Sequence, residues 1–187
     1  MAADTLIGAG FSDPVFQSQA AFRALLAALS EPGTRQTIDA GIVPPAGLHA
    51  ATATALLTLA DYETPIWLPA ALRDGPAGAW LRFHCGAALV EEPRRAAFAV
   101  IDGTETAPLL ADFDPGTDQF PDRSTTIIVQ CEALEGGEGV APAGLRPGFW
   151  AEVAANNAAY PLGVDLLLTH GDAVVGLPRS THIGEAR

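Results

Sequence analysis

Near the C-terminal end, the run Val164-Asp165-Leu166-Leu167-Leu168-Thr169 is apolar over a length that suits a strand covered on both faces. His170-Gly171-Asp172 is turn chemistry, and Ala173 to Leu177 reads as a second strand returning beside the first. Strands of this kind belong in the middle of a covered sheet. The hairpin also delivers Pro178, Arg179, Thr181 and His182 to one edge, with Tyr160, Pro161 and Asp165 near the start of the partner strand. An Arg and two hydroxyls at strand ends suit an anion, or equally the capping of a sheet edge.

The rest of the chain supplies alternating helices and strands. Residues 1–12 read as a loose tail, and residues 13–187 as one domain. Asp13-Pro14 is a helix start, because Asp accepts the first free amides and Pro suits the first helical position. Val15, Phe22, Leu26 and Leu29 recur at helical spacing, which predicts an amphipathic helix over Pro14 to Leu29 with those residues facing the core. Ser30-Glu31-Pro32-Gly33 stops it, and Thr34 to Ile38 is a short strand. His49 to Ala60 is a second, buried helix, and Ile66-Trp67-Leu68 a short strand. Arg73 to Gly78 reads as a surface turn. Trp80 to His84 is helix or strand, with Leu89-Val90 beyond a turn at Gly86. Ala96 to Ile101 is a strand, Thr106 to Ala111 a weak helix, and Asp112 to Asp122 an acidic loop. Ser124 to Leu134 is a central strand by its β-branched run. Glu135 to Pro147 is flexible by composition, and Phe149 to Ala159 is the last helix. The pattern predicts an α/β fold, its sheet mixed and covered on both faces.

Composition excludes several functions. The chain of 187 residues carries a net charge of -12 and contains no Lys, so apart from the N-terminus its cations are Arg. An acidic surface without a basic patch excludes nucleic acid as a partner. Without Lys there is neither a pyridoxal phosphate imine nor a Walker-type phosphate loop. No apolar run is long enough to span a bilayer, and the N-terminal residues lack signal-peptide features, so a cytoplasmic protein without membrane contact is expected. Cys85 and Cys131 read as buried thiols. His49, His84, His170 and His182 show no spacing that suits a metal on one helix or hairpin, so neither metal nor cofactor is expected.

The polar candidates each carry two readings. Arg23, one residue after an apolar Phe expected in the core, is an anion ligand or a solvated Arg. Ser30 and Glu31 present a hydroxyl and backbone amides to a ligand or partner, or simply stop the helix. Asp61 with Thr64 is a general base or a loop clamp, and Asp61 is a possible ion-pair partner of Arg82. Arg82 and His84 face the same way if their segment is extended, which would suit a phosphate-bearing ligand; otherwise they are a paired Arg and a core His. Asp165 opens a buried strand and requires a partner, with Arg179 or Thr181 the nearest choice. Arg179, Thr181 and His182 form the best anion-site candidate, beside Tyr160. No nucleophile elbow or Ser/His/Asp spacing occurs, so no catalytic residue is assigned.

Four segments share one resemblance. They are Phe22 to Gly33, Leu56 to Asp61 with Thr64 to Leu68, Leu81 to His84, and Tyr160 to Thr169 with Leu177 to His182. In order and register they resemble the PhnH family, the H component of the bacterial carbon–phosphorus lyase system, from about residue 16 to residue 183. The resemblance implies a three-layer α/β/α fold like the large domain of pyridoxal phosphate transferases, without the cofactor. It implies a part in transferring the ribose triphosphate of ATP onto methylphosphonate, with catalytic residues on the I component. The H component is then an accessory subunit that forms a homodimer alone and joins the G, I and J components. Where many relatives carry a Gly-Pro-Gly element, this chain has Gly137-Glu138-Gly139. The alternative is an independent binder or enzyme for a phosphonate or nucleotide, using Arg179, Arg82 and Asp165.

Overall fold

The structure is a computed structural model that describes residues 7–38, 40–104, 106–135 and 141–182. Helix α1 (Pro14–Ser30) starts as its sequence dictates: Asp13 Oδ1 accepts the Phe16 N–H, and Pro14 occupies the first turn. It leads into β1 (Arg35–Thr37), then α2 (Ala50–Leu59) and β2 (Ile66–Trp67). A single turn, α3 (Ala70–Arg73), precedes α4 (Pro76–Cys85), β3 (Leu89–Val90) and β4 (Phe98–Asp102). After a long loop come β5 (Thr126–Gln130), the pair β6 (Ala133–Glu135) and β7 (Ala141–Ala143), α5 (Phe149–Ala158), β8 (Asp165–His170) and β9 (Ala173–Leu177).

Seven strands form one mixed sheet in the order β1-β9-β8-β5-β4-β2-β3. The five from β8 to β3 run parallel, and β9 and β1 are antiparallel to their neighbours. Period-two alternation divides the apolar run between two cores. Val100, Ile128, Leu167 and Val174 face α1, α2 and α4. Ala99, Ile101, Ile127, Val129, Leu166, Leu168 and Val175 face Phe113 and the Phe149 and Val153 side of α5. The central strands therefore read as continuous hydrophobe in the sequence because no face of them meets water. Among the described residues no helix is long and apolar enough to cross a membrane.

Several expectations are corrected. The first helix buries Ala21, Leu25 and Ala28, while Val15, Phe22 and Leu26 are 73, 51 and 56% exposed. The reason is close approach. Gly176 of β9 lies against the helix so tightly that a Cβ there would meet Ala28 O at 2.5 Å. Small residues make that contact, and the large ones are turned about a third of a turn away. Arg73 to Gly78, expected as a surface turn, runs from the end of α3 into the first turn of α4, and Gly78 is buried at a position where an added Cβ would strike Arg73 O. Of the two readings of Trp80 to His84, the helical one holds. The segment expected to be helical over Thr106 to Ala111 forms no α-helix; a turn closes on Thr104 O, and a single 3-10 turn, Leu110–Asp112, follows. The strand expected to reach Leu134 breaks after Gln130 and resumes at Ala133. The Gly137-Glu138-Gly139 element lies outside the described residues.

The end of the expected tail is tied down. Trp80 Nε1 and His84 Nε2 both reach Gly8 O, at 3.0 and 2.9 Å.

Because the Gly176 contact is with backbone, it does not relax by a rotamer change. Gly176→Val is expected to lower unfolding free energy by about 2–3 kcal/mol. Arg23→Ala, at an exposed position on the same helix, should stay within about 0.5 kcal/mol; urea denaturation compares the two.

Candidate functional site

The hairpin of β8 and β9 sets Asp165 beside the chain leaving β9. Asp165 Oδ1 accepts the Arg179 backbone N–H at 2.9 Å and Nε at 3.1 Å, and Oδ2 accepts Nη2 at 2.6 Å. Arg179 Nη1 donates to Pro121 O, and Asn157 Nδ2 holds the Arg179 carbonyl at 2.8 Å. The fork of the guanidinium is thus spent on the chain itself. The expected Asp165–Arg179 pair is present, and neither Thr181 nor His182 shares it. Thr181 Oγ1 is enclosed without a hydrogen-bond partner, whereas His182 and Tyr160 point to solvent. The pair fastens the end of the sheet to the loop before β5.

Ser30 Oγ donates to Ala27 O at 3.1 Å, and Thr34 Oγ1 closes the turn on Glu31 O at 2.7 Å, leaving the Glu31 side chain exposed. Thr64 Oγ1 accepts the Asp61 N–H at 2.7 Å and donates to Asp61 Oδ1 at 3.1 Å, a closed loop clamp in which Arg82 takes no part. Arg82 and His84 sit two residues apart on α4 and so project in nearly opposite directions. Arg82 and Arg23 are exposed. Of the candidate residues, only Asp61 with Thr64 and Asp165 with Arg179 are in hydrogen-bond contact. Arg179, Arg82 and Asp165 do not converge as a trio.

Two polar clusters escaped the sequence reading. Arg146, almost fully buried, donates from Nε and Nη2 to both oxygens of Glu152 at 2.8 and 2.7 Å. Its remaining N–H groups reach Thr104 O, Ala107 O and Pro108 O. One side chain therefore orders the loop after β4 against α5. Burial alone would raise the Glu152 carboxyl, but the Arg146 hydrogen bonds and charge, with the Leu110 N–H, leave it below the usual carboxylate value. A Glu in the first turn of a helix, a few residues after an Arg, was the available signal.

The second cluster joins His49 to His170 across the ends of β5 and β8. Their rings meet edge to face with centroids 5.3 Å apart. Burial pushes the His49 imidazole below its ordinary value; the Thr169 carbonyl opposes this and His170 adds to it. Nothing in the sequence signalled this pair, because the two residues are 121 positions apart.

The chain holds two thiols. Both are free, burial pushes Cys85 up to about 11, with Asp61 adding to it, and burial pushes Cys131 up to about 12. Among the described residues no group of three or more His, Cys, Asp or Glu side chains is placed to hold a metal.

The most extensive unassigned feature is a surface. Val15, Phe22 and Leu26 form a stripe along α1, with Phe16, 70% exposed, beside it. The helix contains no Asp or Glu, although the whole chain carries -12.

Comparison with known proteins matches the sequence to relatives. The sequence profile of the family described as bacterial phosphonate metabolism protein (PhnH) matches residues 9–184. The chain is 39% identical, over 98% of both chains, to the alpha-D-ribose 1-methylphosphonate 5-triphosphate synthase subunit PhnH of Rhizobium meliloti (strain 1021). It is 32% identical to the putative C-P lyase subunit protein HtxG of Stutzerimonas stutzeri, over 89% of this chain and 86% of that one.

Asp165→Ala leaves a part-buried guanidinium without its carboxylate and should cost about 3 kcal/mol, while Arg82→Ala should cost less than about 0.5 kcal/mol; chemical denaturation of both variants checks this. Glu152 adds a pH dependence. Its folded value lies below the unfolded one, so its stabilisation is full above the ordinary Glu value and is lost as pH falls through the folded value. In Glu152→Gln the loss of stability below about pH 4.5 should be shallower than in the parent, as read by thermal unfolding across acid pH.

Proposed function

Since the chain belongs to the PhnH family of bacterial phosphonate metabolism proteins, we propose that it is an accessory subunit of the carbon–phosphorus lyase system. In this reading it supports formation of alpha-D-ribose 1-methylphosphonate 5-triphosphate from ATP and methylphosphonate, in the cytoplasm, without catalytic residues of its own. The likeness of the relatives, one of them a subunit of that synthase by name, supports the pathway. The chemistry of the chain supports the accessory role: the Asp165–Arg179 and Arg146–Glu152 pairs clamp its own loops, and of its two thiols Cys131 is buried and Cys85 half-buried.

The observation that carries the proposal is the face of α1. Its four large side chains leave roughly 400–500 Å² of apolar surface in water, as much as the largest patch on a typical monomer. That is about half of what one partner contributes to a standard interface. Position matters as much as area. Two molecules of charge -12 repel, and a face without carboxylates is where either a second copy or another acidic subunit can approach at least cost. We assign to this face the homodimer formed by the protein alone, and contact with the G, I or J components in the assembled system. A fold like the large domain of pyridoxal phosphate transferases is part of the same reading.

The rival reading is a free-standing phosphonate or nucleotide binder built on Arg179, Arg82 and Asp165, and two observations favour the accessory role over it. Arg179 and Asp165 satisfy each other, and Arg82 stands on another element.

The tests separate assembly from catalysis. Size-exclusion chromatography with light scattering should show a dimer for the parent and a monomer, still cooperatively folded, for Phe16→Asp combined with Phe22→Asp. Co-expressed G, I and J components should be retained by the parent and lost from that variant. Retention of none of them by the parent would overturn the accessory role. So would release of adenine when the isolated protein meets ATP and methylphosphonate.

A further inference from the structure

The ends of β5 and β8 hold two imidazoles that the accessory role leaves unused. His49, just before α2, is fixed on three sides. Its backbone N–H donates to Gln130 Oε1 at 2.7 Å, its Nδ1 lies 3.3 Å from Thr169 O, and its ring abuts that of His170. Gln130 is held in turn, its Nε2 donating to Gly47 O at 2.9 Å. His170 ends β8, exposed, with Nδ1 3.1 Å from Cys131 O. A carbonyl oxygen only accepts. Each Nδ1 therefore carries a proton, and in the neutral imidazole Nε2 is the nitrogen that keeps a lone pair. Neither Nε2 has a hydrogen-bond partner among the described residues.

This is the condition in which imidazoles bind transition metals: one nitrogen is pinned to a carbonyl, which sets the tautomer and turns the other toward the ion. The spacing agrees. Two rings sharing a tetrahedral ion, each nitrogen about 2.1 Å from it, place their centroids about 5 Å apart. The observed separation is 5.3 Å. The location agrees as well, since open α/β sheets bind their ligands outside the carboxyl ends of parallel strands, where Gln130 and Thr169 pair in register.

We propose that His49 and His170 bind one divalent transition-metal ion, of the zinc class, through their Nε2 atoms, with water completing the coordination. No third His, Cys, Asp or Glu joins them among the described residues, so the ion is exchangeable rather than a folding element. Imidazole ligands select Zn²⁺, Co²⁺, Ni²⁺ or Cu²⁺ over Mg²⁺ and Ca²⁺. The nearby N-terminus of α2 opposes a cation, but only by the small amount of an exposed helix dipole.

The experiment uses the full chain without a polyhistidine tag, stripped with EDTA, and follows calorimetric titration and thermal unfolding. Zn²⁺ at about 100 µM should raise the melting temperature by about 2–5 °C. EDTA should reverse the rise, and Mg²⁺ should produce none. His170→Ala removes an exposed ring and should unfold cooperatively like the parent, yet lose the Zn²⁺ response; His49→Gln should lose it too. His182→Ala, exposed and outside the pair, should retain it. Equal Zn²⁺ uptake by the double variant His49→Gln/His170→Ala would overturn the assignment, as would absence of uptake by the parent. A response of the pair to methylphosphonate in place of Zn²⁺ would overturn it in favour of an anion site.

Discussion

The closeness of α1 to the sheet governs much of what this protein presents to its surroundings. Ala28 and Gly176 meet without a side chain between them on the strand side, so helix and strand approach at backbone distance. Only small residues fit such an interface, and the helix rotates to offer them. Its bulky residues are then carried round to solvent, and an apolar stripe that would ordinarily mark a core becomes a surface. The fold thereby releases, rather than buries, the stripe on which the proposed subunit contacts depend.

A second consequence follows from covering both faces of the central strands. The partly buried ion pairs lie at strand ends, in the connecting loops and at the start of α5, where water is partly excluded and loose chain must be fastened. Asp165 with Arg179, and Arg146 with Glu152, do that fastening. A guanidinium whose N–H groups are spread over a carboxylate and backbone carbonyls has little left for a ligand. The same reasoning separates the imidazole pair from these clusters. His49 and His170 direct one nitrogen each to the chain and keep the other free.

The sequence revealed the sheet better than the surface. The strands at Val164 to Thr169 and Ala173 to Leu177 were legible because burial on both faces writes continuous hydrophobe into the chain. The start of α1 was legible because Asp13-Pro14 acts locally. The orientation of α1 was not, since periodicity marks Val15, Phe22 and Leu26 as one face without saying what lies opposite it. Trp80 to His84 was ambiguous because five residues fit either period, and only the left-handed Gly86 at φ 67 settles the segment as a helix end. The Asp165–Arg179 pair was inferred from the cost of an unpaired carboxylate. The Arg146 hub was missed because its acceptors are mostly carbonyls, which every residue has.

The amino-acid sequence by itself determined the α/β class, which rests on local caps and the two-residue period of strands, the lack of any Lys for lysine-dependent chemistry, which rests on composition, and the family, which rests on four segments that resemble it in register. Tertiary structure alone decided which apolar residues meet water and which histidines meet each other. Those outcomes depend on contacts between segments tens to more than a hundred residues apart. Distances across a fold are set by how closely its layers pack, and packing depends on partners that no local pattern names.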